Sequence, residues 1–191
     1  MTAPLDRVTW PRRTPRLTIR PCRPEDLRAV FETRSLPEVA LWMPSQPSSY
    51  EDFVLRQGRA GAVERCLVLE LDGQVVGDLY LHVEDAWAQA EVSEGGQAAQ
   101  AEIGWCLSPA QQGRGYVTEA VEELIRICFE DLGVRRLTAI AFAGNTPSLR
   151  VMEKAGMRRE ATYVRDSLHR ELGWVDSVSY ALLADDWRAR G

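Results

Sequence analysis

The pattern of apolar and polar positions predicts seven β-strands, either as short continuous apolar runs or as runs in which apolar and polar residues alternate. The predicted strands are Leu17–Arg20, Cys66–Leu71, Gln74–Val83, Ala101–Leu107, Arg136–Ala141, Met157–Val164 and Trp174–Leu182. The Asp72-Gly73 dipeptide between the second and third strands predicts a tight hairpin turn. Residues 84–100, which are rich in Ala, Gln, Gly and Glu, predict an exposed hairpin loop that contains Trp87.

Four helices are predicted from end signals and from apolar residues at helical spacing. They run from Pro24 to about Ser35, from an N-cap at Ser48 or Ser49 to about Arg59, from Val117 to Leu132 before Gly133, and from Thr146 to Gly156. Strands that alternate with helices in this order predict an α/β fold in which helices flank a mixed sheet. Since no repeat or linker interrupts the order, we expect one domain over residues 1–191.

Length and composition are those of a globular protein. The chain has 191 residues, of which 45% are hydrophobic and 27% charged, and its formal net charge is −5. A net acidic chain is a poor candidate for binding a nucleic-acid backbone. No apolar run reaches the roughly 18 residues of a membrane span, and the N-terminus lacks the apolar region of a secretory signal. We therefore expect a cytoplasmic protein with no membrane partner and no nucleic-acid partner.

Charge is unevenly distributed along the chain. The segment from Cys66 to Gly113 contains eight acidic residues and no Lys or Arg, so it could attract a cation, although a solvated acidic surface is an equally good interpretation. The first 34 residues instead contain eight Arg and four acidic residues, which keeps nucleic-acid binding open as a competing function.

Cysteine and histidine usage excludes several chemistries. The four cysteines form no Cys-x-x-Cys pair, and the two histidines, His82 and His169, have no metal-ligand spacing, so we expect no metal. Cys106 has apolar neighbours and no nearby histidine in the sequence, which argues against a cysteine nucleophile.

The segment from Glu102 to Ala120 gives the strongest chemical signal. A strand leads through Pro109 into the turn Gly113-Arg114-Gly115 and then directly into an amphipathic helix. Backbone N–H groups at such a turn, together with the helix dipole, can hold a phosphate group. Glycines that serve only the geometry of a plain turn are the alternative interpretation, and the pattern matches neither a P-loop nor a Rossmann fingerprint.

Three segments resemble the GNAT N-acetyltransferases, and in particular their RimJ/RimL-like branch. Gln112-Gly113-Arg114-Gly115-Tyr116-Val117 is similar to the pyrophosphate motif of that family, with Val117 at its last small position. Asn145–Ala161 is similar to the segment Asn-x-x-Ser…Lys-x-Gly-Phe, with Met157 in place of Phe, and Leu172–Trp187 is similar to the closing strand of the branch. The resemblance covers about residues 16–187.

This resemblance implies a bent, splayed mixed sheet that holds acetyl-CoA, or another acyl-CoA, as cosubstrate. It implies that residues 112–117 bind the pyrophosphate, that the amides near Cys106 and Leu107 bind the pantetheine and the oxyanion, and that Asn145 reaches the pantetheine arm. Asn145 could equally cap the helix that follows it, and both roles are compatible.

Amine acetylation needs a base and a donor for the leaving thiolate. Glu102 and Glu160 are the candidate bases, and a plain surface carboxylate is the alternative for each. Many GNAT enzymes are thought to use a tyrosine as the donor, but the matching position here is Met152, so Ser148, one helical turn earlier, becomes the candidate. Helix capping is the alternative role of Ser148.

The resemblance implies transfer of an acetyl group to a primary amine by direct attack in a ternary complex. The acceptor could be a protein N-terminus, a polyamine or an amino-sugar, and the acyl group could be larger, such as succinyl. A non-catalytic acyl-CoA sensor is the alternative from a different class. The protein could be a monomer or a homodimer.

Overall fold

The computed structural model describes residues 4–58, 61 and 63–190. The helices are α1 Leu27–Ser35, α2 Pro37–Ala40, α3 Tyr50–Gly58, α4 Tyr116–Arg126, α5 Thr146–Lys154 and α6 Ala184–Arg188. The strands are β1 Arg12–Arg13, β2 Thr18–Pro21, β3 Cys66–Leu71, β4 Gln74–Glu84, β5 Gln100–Leu107, β6 Arg136–Phe142, β7 Arg158–His169 and β8 Gly173–Leu183. The predicted end of the second helix, Arg59, lies outside the described residues.

The chain divides into two compact units. The first contains the residues up to Leu81 and Trp105–Ile127, and the second contains His82–Gly104 and the residues from Cys128 onward. The long strands β4 and β5 each contribute residues to both units.

Strands β1, β2, β3 and β4 lie side by side in the first unit, and successive strands are antiparallel. The predicted hairpin is confirmed: Leu71 pairs with Gln74, and the two turn residues, Asp72 and Gly73, have φ angles of 51° and 77°. Two positive φ angles define the turn type that best fits the twist of a two-stranded hairpin. One core cluster joins α1 and α3 to this sheet; it contains Cys22, Leu27, Val30, Phe53, Cys66 and Val68.

The second unit contains a mixed sheet in the order β5-β6-β8-β7. Strand β5 pairs in parallel with β6 through Gln100–Glu102, whereas β6 and β7 both pair antiparallel with β8. The parallel pair is possible because a long crossover separates the two strands in the sequence.

Helix α4 begins after Gly115 and buries Ala120, Val121, Leu124 and Ile125, as its apolar stripe predicted. A π-helical turn, Ile127–Asp131, continues it towards Gly133, whose φ angle of 71° suits a glycine.

The predicted α/β fold with helices flanking a mixed sheet is confirmed. Two details of the prediction are wrong. Strand β7 continues past Val164 to His169, and the predicted open loop over residues 84–100 contains a 3-10 helix at Ala90–Gly96. The single domain and the bent, splayed sheet stay predictions. Within the described ranges, no helix is both long enough and apolar enough to span a membrane.

Candidate active site

The turn before α4 presents a row of unused backbone donors. Gly113 and Gly115 have φ angles of 76° and 81°, and Gly115 is the N-cap of the helix. In the part of the chain that the structure describes, the N–H groups of Gly113, Arg114 and Gly115 donate no hydrogen bond to another backbone group. The first N–H groups of α4 also lack an intrahelical acceptor, as at every helix start. Gly113, Arg114 and Gly115 are exposed, so their donors are open to an anion.

The left-handed backbone of the turn explains the two glycines. Only glycine adopts positive φ without a steric cost, and a Cβ at Gly113 would meet nothing within 4 Å. The glycines therefore serve the backbone conformation that exposes the N–H groups. This open row of donors, beside the Arg114 guanidinium, fits the pyrophosphate of acetyl-CoA, which the sequence motif led us to expect.

Arg16 supports this turn, and sequence reasoning missed it. Its Nη1 donates to the carbonyl oxygen of Arg114 at 2.8 Å, its Nε donates to Glu119 at 2.7 Å, and its guanidinium lies 4.6 Å from the ring centroid of Tyr116. Thr14 and the Arg16 backbone N–H also donate to Glu119, at 2.5 and 2.9 Å. The segment before β2 is thereby attached to the first turn of α4.

The end of β5 lies close to the turn through local contacts within the first unit. The Gln112 amide donates to the Leu107 carbonyl oxygen at 3.3 Å, and the Ser108 N–H donates to Val76 at 2.9 Å. A Cβ on Gly77 would overlap the Cys106 carbonyl oxygen, so β4 needs a glycine there. The first unit thus brings together Cys106, Leu107 and the residues 112–117.

Cys106 is buried and unsuited to nucleophilic attack. Burial raises the pKa of its thiol far above the ordinary value, and the buried Asp78 carboxylate raises it further. Asp78 itself forms a bidentate ion pair with Arg34, whose Nε donates to Oδ1 at 3.1 Å. A protonated thiol is a poor nucleophile, which agrees with the argument against an acyl-cysteine.

Glu102 lies in an acidic environment in the second unit. It is half-buried, and desolvation raises its pKa above the ordinary value; the Glu84 carboxylate raises the pKa further, whereas His82 lowers it. Glu84 accepts a hydrogen bond from Gln100 at 2.9 Å and lies 4.0 Å from His82 Nε2. A carboxylate with a raised pKa is a better proton acceptor when it is ionised than an ordinary one.

Glu160 lies in a different setting on β7. It forms an ion pair with Arg136 and a second one with Arg158 at 3.0 Å. Hydrogen bonding from Arg136 lowers the pKa of Glu160 to about 2, and Arg158 adds to the effect. A carboxylate held by two guanidinium groups is a weak base.

The start of α5 places Asn145 and Ser148 together. The Asn145 side-chain oxygen accepts a hydrogen bond from the Ser148 backbone N–H at 3.4 Å, so Asn145 is the cap of this helix. No partner of the Ser148 hydroxyl is found among the described residues, and Ser148 is half-buried. Met152 is buried with 2% exposure and has no group that could donate a proton.

The predicted site residues therefore fall into two groups. Cys106, Leu107 and residues 112–117 belong to the first unit, whereas Glu102, Asn145, Ser148 and Glu160 belong to the second. Within the second unit, Asn145 and Ser148 are in contact, while Glu102 and Glu160 have separate sets of charged neighbours. Over the described ranges, no group of three or more His, Cys, Asp or Glu side chains could hold a metal ion.

Known proteins resemble the chain over most of its length. It is 29% identical over 177 residues to the uncharacterized N-acetyltransferase YnaD of Bacillus subtilis, a match that covers 91% of this chain and 97% of the relative. The crystal structure of a GNAT-family acetyltransferase from Bacillus anthracis is 30% identical with a TM-score of 0.74, and the match covers 91% of this chain and 98% of that one.

Mycobacterium smegmatis RimJ, solved in complex with CoA-disulfide, is 26% identical with a TM-score of 0.73. That match covers 93% of this chain and 87% of RimJ, which is consistent with the RimJ/RimL-like branch. The family model for the acetyltransferase (GNAT) domain matches residues 16–158. This matched range covers most of the chain and includes the open N–H groups before α4. The chain therefore belongs to the GNAT family of N-acetyltransferases, whose members bind acetyl-CoA or CoA.

Proposed function

We propose that this protein transfers an acetyl group from acetyl-CoA directly to a primary amine in a ternary complex. The observation that supports this most is the row of unused N–H groups from the exposed Gly113 to the first turn of α4. When bound, acetyl-CoA supplies an acetyl thioester. The turn, with Gln112, Arg114, Tyr116 and Val117 around it, holds the pyrophosphate, and Asn145 reaches the pantetheine arm in addition to its capping role.

Glu102 is the general base in this proposal. Because the amine attacks only in its neutral form, a proton must leave it, either directly or through water. Glu102 is favoured over Glu160 because burial and Glu84 raise its pKa, whereas two arginines hold the pKa of Glu160 at about 2. Glu160 is then a structural ion-pair partner of Arg136 on β6, which β8 separates from β7 in the sheet.

The chain also supplies groups for the oxyanion and for the leaving group. The backbone amides near Cys106 and Leu107 stabilise the oxyanion that develops on the thioester carbonyl. Ser148 donates a hydrogen bond to the departing thiolate, and its hydroxyl is available because Asn145 performs the capping. The buried, protonated thiol of Cys106 supports direct attack over an acyl-enzyme.

We propose a protein N-terminal amine as the acceptor. The resemblance to the RimJ/RimL-like branch, which includes N-terminal acetyltransferases of ribosomal proteins, supports this class. The segment from Cys66 to Gly113, which has eight acidic and no basic residues, suits an acceptor that arrives as a cation. We place the activity in the cytoplasm, where the four free cysteines would remain reduced. A small-molecule amine is the second candidate for the acceptor.

A thiol-release assay tests this proposal with acetyl-CoA and a panel of acceptors. Peptides with a free N-terminus are compared with the same peptides acetylated at that position, and with polyamines, amino acids and amino-sugars. We expect turnover with free peptides, none with blocked ones, and slower turnover with succinyl-CoA. Faster turnover of a small amine than of every peptide would contradict the acceptor class. Tight CoA binding without turnover of any acceptor would favour the sensor alternative.

A further inference from the structure

A second concave site lies in the first unit, where Arg13, Thr18 and Glu70 lie in register across β1, β2 and β3. Its volume is about 400 Å³, and its lining includes Trp10, Arg13, Arg20, Arg23 and Glu70. This volume lies within the range of small-molecule sites, roughly 300–1,000 Å³. None of these residues belongs to the turn before α4 or to the surroundings of Glu102.

Arg20 lines this cavity, and several hydrogen bonds hold its side chain in place. Its guanidinium donates to both carboxylate oxygens of Asp26, at 2.6 and 2.9 Å, and to Glu70 at 2.6 and 3.0 Å. It also donates to the Pro21 carbonyl oxygen at 3.2 Å. The two carboxylates therefore more than balance the single charge of Arg20, and Glu70, the acidic residue in the lining, is already engaged.

Arg13 and Arg23 are the cations that remain available. Over the described ranges, no hydrogen bond or ion pair involves the Arg13 guanidinium, and Arg13 is exposed. The Arg23 side chain is 62% exposed, and its ion-pair partner, Glu25, lies 4.0 Å away. Two weakly engaged guanidinium groups at one cavity favour an anion, and their planar donors suit phosphate in particular.

Trp10 adds an aromatic surface to the same cavity. Its indole N–H donates to the Leu5 carbonyl oxygen at 2.8 Å, so the polar edge of the ring is already satisfied and the ring is held in place. Trp10 is half-buried, which leaves part of its surface accessible. Aromatic rings beside arginines are the combination that proteins use to stack a nucleobase and bind its phosphate.

We infer that this cavity binds a nucleotide, with the base against Trp10 and the phosphate between Arg13 and Arg23. This inference goes beyond the acetyl transfer and does not depend on it. The arginine-rich start of the sequence, eight Arg and four acidic residues in the first 34, has a local role here that the overall net charge of −5 conceals. The ligand chemistry is a nucleoside phosphate, either free or as one unit of a single-stranded RNA.

Titrations of uridine monophosphate and of a short fluorescent oligouridylate test the inference. Both use the full chain with saturating CoA, so that the turn before α4 cannot account for binding. The double variant Arg13→Ala/Arg23→Ala is compared with Arg188→Ala, which removes an exposed arginine of α6 in the other unit. Trp10→Ala removes the aromatic ring and tests the stacking, and Trp10→Phe, which retains a ring, is its control.

We expect the wild type to bind at least one of the two probes. The double variant should bind it at least tenfold more weakly, and Trp10→Ala should also bind it more weakly, while Arg188→Ala and Trp10→Phe stay close to the wild type. Acetyl transfer should be unchanged in every variant. Equal affinity for the two probes assigns the site to a free nucleotide, and a much higher affinity for the oligouridylate, falling steeply with salt, assigns it to RNA. No binding of either probe, or equal binding by the double variant, would overturn the inference.

Discussion

The Arg16 guanidinium donates a hydrogen bond of 2.8 Å to the carbonyl oxygen of Arg114, across 98 positions of sequence. The same side chain forms an ion pair with Glu119 in the first turn of α4. Arg16 therefore holds the turn through the Arg114 carbonyl oxygen, while the N–H groups of Gly113, Arg114 and Gly115 remain open. This contact makes Arg16 a positioning residue for the proposed pyrophosphate site.

Arg16→Ala should raise KM for acetyl-CoA about tenfold, the effect of losing roughly 1.4 kcal/mol of binding free energy, with kcat nearly unchanged. The reason is that the turn loses its carbonyl anchor while the reacting groups are untouched. Arg12→Ala is the matched control, because Arg12 pairs with Glu123 one helical turn later, at 2.9 Å. Steady-state kinetics at varied acetyl-CoA provide the measurement. Equal effects of the two variants would mean that Arg16 only attaches the helix.

Glu102→Gln should lower kcat about 100-fold or more, since a positioned base contributes roughly that factor. Because the pKa of Glu102 is raised, the wild type should lose activity, as pH falls, at a higher pH than an ordinary glutamate would allow. Glu84→Gln removes one cause of the raised pKa and should move this acidic limb to lower pH while leaving the plateau unchanged. Profiles of kcat/KM against pH measure both effects. An unmoved limb in Glu84→Gln would rule out Glu102 as the group that titrates.

Glu160→Gln should affect stability and leave kcat unchanged. Its pKa is lowered to about 2 in the folded protein, so its ion pairs stabilise the fold above the pKa of the unfolded chain. That stabilisation is lost as pH falls from the unfolded value through the folded one. Because these ion pairs are partly exposed, we expect Glu160→Gln to lower the free energy of unfolding by about 1 kcal/mol at neutral pH. Urea titrations at neutral pH and near pH 2 measure this difference, and a large fall in kcat with unchanged stability would contradict the assignment.

Ser148→Ala and Asn145→Ala should separate leaving-group chemistry from capping. Since Asn145 is the cap of α5, Asn145→Ala should destabilise the fold by about 1 kcal/mol. Ser148→Ala should leave the melting temperature nearly unchanged and lower kcat about tenfold at similar acetyl-CoA affinity. Melting curves and steady-state kinetics give the answer. If kcat of Ser148→Ala equals that of the wild type, solvent protonates the thiolate.

Local signals predicted most of the fold. The hairpin turn at Asp72-Gly73 and the helix end at Gly133 both need positive φ angles. Glycine adopts such angles readily, so both features can be predicted from residues that are neighbours in the sequence. The sequence pattern predicts an end of β7 at Val164, whereas the strand continues to His169. Its register shifts between Tyr163 and Ser167, where Arg165 has a φ angle of 49°. Such a bulge breaks the alternation on which strand prediction depends.

The candidate site could be predicted only where its residues are neighbours in the sequence. The glycine spacing of the turn is a local pattern, whereas the contact of Arg16 with Glu119 joins residues 103 positions apart. Glu102 and Glu160 looked alike as strand carboxylates in the sequence. Their surroundings distinguish them, because Glu84 lies near Glu102, whereas Arg136 forms an ion pair with Glu160. These partners depend on strand pairing, which no single segment encodes.

The most direct test of the account is a calorimetric titration of CoA into the wild type and into Gly115→Asp. The substitution places a negative charge where the phosphates are proposed to bind, next to donors that now have no acceptor. Gly73→Asp is the matched control, because Gly73 has a similar φ angle of 77° in the hairpin turn between β3 and β4. We predict that Gly115→Asp loses CoA affinity by at least about 100-fold with an unchanged circular dichroism spectrum, while Gly73→Asp binds as the wild type does. Unchanged CoA affinity in folded Gly115→Asp would contradict the proposed site.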